Sequence, residues 1–111
     1  MGNSVTSIGA SAFYGCTSLT SVTIGESVLT IGESAFQNCS ALKTIVIPAA
    51  VTRIEKYAFK GSALTSAKFN DTSTWYRGTS ATTNGGKVTV TSTSTNATNL
   101  KASTGYYWNK T

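Results

Sequence analysis

Apolar side chains return at an interval of 23 residues over positions 5–70, shortened by one residue between Phe59 and Leu64, with small polar residues between them. Val5, Val28 and Val51 open the copies, and Ile8, Ile31 and Ile54 follow three positions later. Ala12-Phe13, Ala35-Phe36 and Ala58-Phe59 come next, then a small residue: Cys16, Cys39 or Ser62. Each copy closes on a leucine and two further apolar positions: Leu19/Val22/Ile24, Leu42/Ile45/Ile47 and Leu64/Ala67/Phe69. A period of this length marks a stacked repeat, because one copy cannot bury its apolar side alone. The pattern predicts a solenoid of three coils, 5–27, 28–50 and 51–70, together forming a unit over residues 1–70.

The closing segment of each coil alternates apolar and polar residues, so Val22 and Ile24 point inward while Ser21 and Thr23 point outward. Period two predicts a strand, one per coil, with neighbouring coils pairing in parallel at ~4.8 Å. Gly25 and Pro48 then turn the chain. The Ala-Phe segment lacks that alternation, and a single turn of 3₁₀ or α-helix after Gly9 or Gly32 is expected. Equivalent phenylalanines should form one internal column and the isoleucines another.

Beyond Asn70 the period stops. Residues 71–111 contain 17 Ser/Thr among 41 positions, yet also both tryptophans and three of the five tyrosines, which a disordered linker would lack. Three short strands are expected, at Trp75-Tyr76-Arg77, Lys87–Thr91 and Tyr106-Tyr107-Trp108, with a tight turn at Asn84-Gly85-Gly86. They would make a small antiparallel β cap. Trp75, Leu100, Tyr107 and Trp108 could lid the open end of the stack, whose bare backbone otherwise invites aggregation. The alternative is that these aromatics form a platform for a sugar or a peptide.

The second copy reads Val28-x-x-Ile31-Gly32-x-x-Ala35-Phe36-x-x-Cys39-x-x-Leu42-x-x-Ile45-x-Ile47-Pro48. This resembles the leucine-rich repeats of the BspA-like, or Treponema pallidum, type. The first copy has Gly25 where proline is usual; the third has Glu55, Ser62 and Ala67 in place of glycine, cysteine and a large apolar residue. The resemblance implies a right-handed solenoid on a secreted or cell-surface protein, mostly bacterial. It also implies an adhesion role toward host matrix or other cell-surface proteins, and it brings no catalytic residue with it. Met1-Gly2-Asn3 runs straight into the first copy, and the expectation is a C-terminal piece of a longer array.

The net charge of +5 is scattered, with no run of Lys/Arg to grip a nucleic acid. No stretch reaches the ~20 apolar residues of a membrane helix. There is no histidine, and the four acidic residues lie far apart, so nucleophile-and-base arrangements lack their usual base. Cys16 and Cys39, 23 residues apart without a histidine, do not form a zinc site. The sequence thus predicts no enzyme, no cofactor and no metal. Repeat equivalence sets the two cysteines on adjacent coils, either as a buried free-thiol ladder or as a disulfide. Asn38, Asn70, Asn96 and Asn109 open glycosylation triplets, which arise readily by chance in a Ser/Thr-rich chain.

A binding module is the leading expectation, working through the outer sheet face. That face presents Thr20, Ser21 and Thr23, then Lys43, Thr44 and Val46, then Thr65, Ser66 and Lys68. The candidate ligand-binding residues are Lys43, Val46 and Lys68, with Thr44 and Ser66 beside them. The partner would be a protein, with no nucleic acid involved. Two alternatives stand beside this: a structural spacer and cap, and carbohydrate binding by the tail aromatics.

Overall fold

A computed structural model describes residues 1–72, 75–78, 86–102 and 106–110. Short strands dominate: β1 (Ser7–Ile8), β2 (Thr30–Ile31), β3 (Thr44–Ile47), β4 (Arg53–Ile54), β5 (Ser66–Phe69), β6 (Trp75–Gly78), β7 (Gly86–Val88) and β8 (Tyr107–Lys110), with one helix, α1 (Thr93–Leu100). Six strands form one sheet in the order β1-β2-β4-β8-β6-β7, and β3 and β5 form a second.

The repeat spacing appears directly as register. Ser7 pairs with Thr30 and Thr30 with Arg53; Ile8 pairs with Ile31 and Ile31 with Ile54. The phenylalanine column is present: Phe13, Phe36 and Phe59 stack with centroids 5.2 and 5.3 Å apart and rings within 5° of parallel. Val28, Ile31, Ala35, Phe36, Cys39 and Leu42 of the second copy are fully buried, as are Val51, Phe59 and Leu64 of the third.

Three expectations need correction. First, the second and third copies each carry two parallel strands rather than one, because the Val-x-x-Ile opening also forms a ladder. Second, the closing segment of the first copy forms no strand. Val22 and Leu19 are only half-buried, and residues 20–24 make no backbone hydrogen bond to β3 among the described residues. This segment packs against the stack on one side only, so it gains half the burial that orders the segments at 44–47 and 66–69.

Third, the Ala-Phe segment is a chain of turns, not a helical turn. Alternate amides close i→i+3 bonds within the copy: Ala12 to Gly9, Tyr14 to Ser11 and Cys16 to Phe13. The intervening amides of Ser11, Phe13 and Gly15 donate to Glu33, Ala35 and Gln37 of the next copy. The second copy repeats this, with Ser34, Phe36 and Asn38 donating to Lys56, Ala58 and Lys60. Such alternation needs left-handed residues every fourth position, found at Ser11 and Gly15, Ser34 and Asn38, Tyr57 and Gly61. Glycine and asparagine tolerate that region, whereas a ring as large as that of Tyr57 rarely enters it.

The bonds that flank β2 and β4 run the other way. Leu29 and Gly32 donate back to Thr6 and Ile8, and Thr52 and Glu55 donate back to Leu29 and Ile31.

The tail closes the far end. β8 pairs antiparallel with β4, setting Trp108 opposite Ile54, and with β6, which in turn pairs with β7. Trp75 and Trp108 are buried, and both pack on Phe69, at 5.2 and 5.8 Å. The antiparallel arrangement matches expectation, but β7 ends at Val88, so residues 89–91 of the strand expected over Lys87–Thr91 are not strand, and α1, among Ser, Thr and Asn, was not expected. Ser92 caps it, its Oγ accepting from the Thr95 amide at 3.3 Å. Its buried face is Asn96, Ala97 and Leu100. Residues 84 and 85 of the expected turn lie outside the described residues.

Candidate binding face

β3 and β5 carry every predicted site residue except Lys43, which precedes β3. Alternation sends Ile45, Ile47, Ala67 and Phe69 into the core and leaves Thr44, Val46 and Lys68 exposed, with Ser66 half-buried. The register sets Thr44 beside Ser66 and Val46 beside Lys68. Val46 stands out as a large aliphatic side chain 47% exposed in the middle of a strand.

Lys43 is exposed, and its carbonyl anchors the turn into β5. It accepts from the Thr65 amide at 2.8 Å and the Ser66 amide at 3.3 Å. Neither Lys43 nor Lys68 forms an ion pair among the described residues. Three of the four carboxylates are engaged elsewhere, as Arg53–Glu55, Lys56–Glu33 and Lys110–Asp71 at 3.1, 3.9 and 2.9 Å. The strip is thus two hydroxyl groups, one aliphatic patch and two unpaired ammonium groups. It has the chemistry of a contact surface and no reacting group. Thr20, Ser21 and Thr23 are exposed too, but the missing ladder leaves them outside this paired strip.

The free edge of β5 is protected by side chains of the tail. Asn96, fully buried, donates its amide to the carbonyls of Ala67 and Val90 at 2.9 and 2.7 Å, while its Oδ1 has no partner among the described residues. Lys101 donates to the Leu64 carbonyl at 2.8 Å. Of the four glycosylation triplets, burial removes the one at Asn96, and Asn109 lies in β8 between two partner strands. The aromatic platform loses its tryptophans, since Trp75 and Trp108 are core residues.

Both cysteines are free, Cys39 buried and Cys16 half-buried. The Cys39 thiol donates to the Phe13 carbonyl at 3.1 Å. Burial, above all, pushes its pKa above the ordinary thiol value of 9.0, so it stays protonated and inert at neutral pH.

A family model described as "BspA type Leucine rich repeat region (6 copies)" matches residues 1–105. The chain belongs to the BspA-type leucine-rich-repeat family. The match runs past residue 70 into the tail, where the 23-residue spacing is no longer visible. This leucine-rich-repeat chain is a repeat-protein module, mostly strand with a single described helix. No curated protein and no solved structure matches it. Among the described residues, no helix is long and apolar enough to cross a membrane.

Proposed function

We propose that the chain is a protein-binding module of a secreted or cell-surface protein, contacting its partner through the β3/β5 face. Residues 1–70 act as three coils of a solenoid, and residues 71–111 act as their cap. The observation behind this reading is the exposed Val46, set in register beside the unpaired Lys68. An aliphatic patch rimmed by ammonium groups suits an acidic surface with an apolar centre. Two four-residue strands offer a strip only ~10 by 13 Å, far below the ~800 Å² per partner of a stable interface. Useful adhesion therefore comes from many copies acting together.

Surface plasmon resonance against immobilised extracellular-matrix proteins tests the reading. Changing Lys43 and Lys68 to Glu and Val46 to Ala should weaken binding at least tenfold with the melting curve unchanged. Undiminished binding by that variant would refute the face. A second reading, a spacer that ends the array, draws on the tail: β8 seals β4, and the tryptophans cover Phe69. Absence of binding to any matrix protein would favour it.

A further inference from the structure

The end of the stack opposite the tail is open, and its backbone carries a pattern. Toward the first copy, the second presents the amides of Leu29 and Gly32 and the carbonyls of Glu33, Ala35 and Gln37, all of them bonded. Toward the second copy, the third presents the amides of Thr52 and Glu55 and the carbonyls of Lys56, Ala58 and Lys60 in the same way. One interval earlier stand the amides of Thr6 and Gly9 and the carbonyls of Ala10, Ala12 and Tyr14. None of these five groups has a hydrogen-bond partner among the described residues. There is also room beside them. A Cβ at Gly32 would stand 2.7 Å from the Ile8 carbonyl oxygen, whereas the same position at Gly9 has nothing within 4 Å.

The apolar positions are unfinished along the same side. Phe13, Cys16, Leu19 and Val22 are only partly buried, and Ala12 is exposed where Ala35 and Ala58 are buried. Residues 1–4, by contrast, already repeat the turn at 24–27. The Val5 amide donates to the Gly2 carbonyl as Val28 does to Gly25 and Val51 to Pro48. The Met1 ammonium group reaches across to the Thr23 carbonyl at 3.2 Å. What stays uncovered is a slot one rung deep, lacking everything but that turn.

Bond direction selects the occupant. It must bring carbonyls for Thr6 and Gly9, and three amides at alternate positions for Ala10, Ala12 and Tyr14. An ordinary strand shows N–H and C=O in turn along each edge, so it cannot aim three such amides without a carbonyl between them. A segment with left-handed residues four apart does so, as Ser34, Phe36 and Asn38 do toward the third copy. A second folded copy has no such side to offer, because its tail covers it: Lys110 donates to the Thr52 carbonyl and β8 lies on β4. We propose that the open end is an acceptor site for a donated rung, a segment of a separate chain with the same Val-x-x-Ile and Ala-Phe pattern. It adds in parallel, as a peptide adds to a free sheet edge, and completes the first core.

The probe is a synthetic peptide of residues 28–46, which omits only the turn that residues 1–4 supply. Titrated under reducing conditions into the ¹⁵N-labelled chain, it should bind saturably and shift Thr6, Gly9, Phe13, Leu19 and Val22 in ¹H–¹⁵N NMR. Hydrogen exchange at the Thr6 and Gly9 amides should slow at least about tenfold. A chain carrying Lys43→Glu, Val46→Ala and Lys68→Glu should bind the peptide equally well, which separates this site from the β3/β5 face. N-methylation of the Phe36 amide within the peptide removes the middle donor and should weaken binding about tenfold or more. Absence of saturable binding overturns the proposal. Equal binding by the N-methylated peptide or by a scrambled one overturns it too, since the open end would then be an unselective apolar surface. So does self-association of the chain that the peptide leaves intact, which would give the end to a second copy.

Discussion

The first and third copies share their spacing but not their surroundings. In the first, Val5, Phe13, Cys16, Leu19 and Val22 are half-buried; in the third, Val51, Phe59, Leu64 and Phe69 are buried. The third lies between the second copy and the tail, which seals β4 with β8 and tops Phe69 with two tryptophans. The first has a neighbour on one side alone. The same apolar pattern therefore yields a finished core where both sides are covered and a half-finished one where a single side is. At the closing segments ladder formation follows the neighbours: the segment at 20–24 is unpaired although Ile24 is buried, while those at 44–47 and 66–69 are joined. In this fold the repeat pattern selects the local path, and the neighbours decide how much of it becomes hydrogen-bonded strand.

The largest test of that comparison is an alanine series across the stack. Phe36, sandwiched between two rings and fully buried, should cost ~3–5 kcal/mol when changed to Ala. Trp108→Ala, at the closed end, should cost a similar amount, and each is a large share of a total stability of ~5–15 kcal/mol. Phe13→Ala, at the open end, should cost only ~1–2 kcal/mol, because it is only partly buried and stacks on one ring rather than two. Urea unfolding midpoints would rank the three, and a Phe13 effect equal to that of Phe36 would overturn the gradient.

Asn96→Ala comes next. It removes the donor shared by the Ala67 and Val90 carbonyls, and an unsatisfied buried acceptor costs ~1–3 kcal/mol. Because the change strips protection from the edge of β5, hydrogen exchange should quicken in β5 before it does in β2. Uniform quickening would mean that the tail does not guard that edge.

Much of this architecture was legible in the spacing. A side chain repeated every 23 residues can be stacked without knowing the backbone, so the Phe13/Phe36/Phe59 column and the inward Ile45 and Ile47 follow from pattern alone. The site pairs Thr44/Ser66 and Val46/Lys68 were legible for the same reason, since a one-residue deletion in the third copy fixes their offset. The Ala-Phe turns were not read, although Gly15, Asn38 and Gly61 carry a left-handed signal at the repeat interval; Ser11, Ser34 and Tyr57 carry none. The two-residue strands at Ile8, Ile31 and Ile54 are too short for period two to show. Helix α1 is written in residues of poor helix propensity; the Ser92 cap is a local signal that was not read, and the burial of Asn96, Ala97 and Leu100 is a tertiary effect.

The smallest effect concerns Cys39. Its folded-state pKa lies above the unfolded value, chiefly through burial. The folded chain therefore holds the thiol proton more tightly, so its contribution is complete below the ordinary thiol value of 9.0 and is lost as pH rises above it. The melting midpoint should fall more steeply above that pH in the parent chain than in Cys39→Ala, as calorimetry at several pH values would show. Identical slopes would mean that the thiol is as well hydrated as Cys16 at the open end.

The opposed hydrogen-bond directions carry a consequence for length. Peptide groups at Ser11, Phe13 and Gly15 point their N–H toward later residues, while those at Leu29 and Gly32 point back. Each rung is close to electrically balanced along the stacking axis, as strands in a sheet are. An α-helix instead accumulates partial charge at its two tips. Adding rungs to this stack therefore accumulates little backbone dipole from end to end.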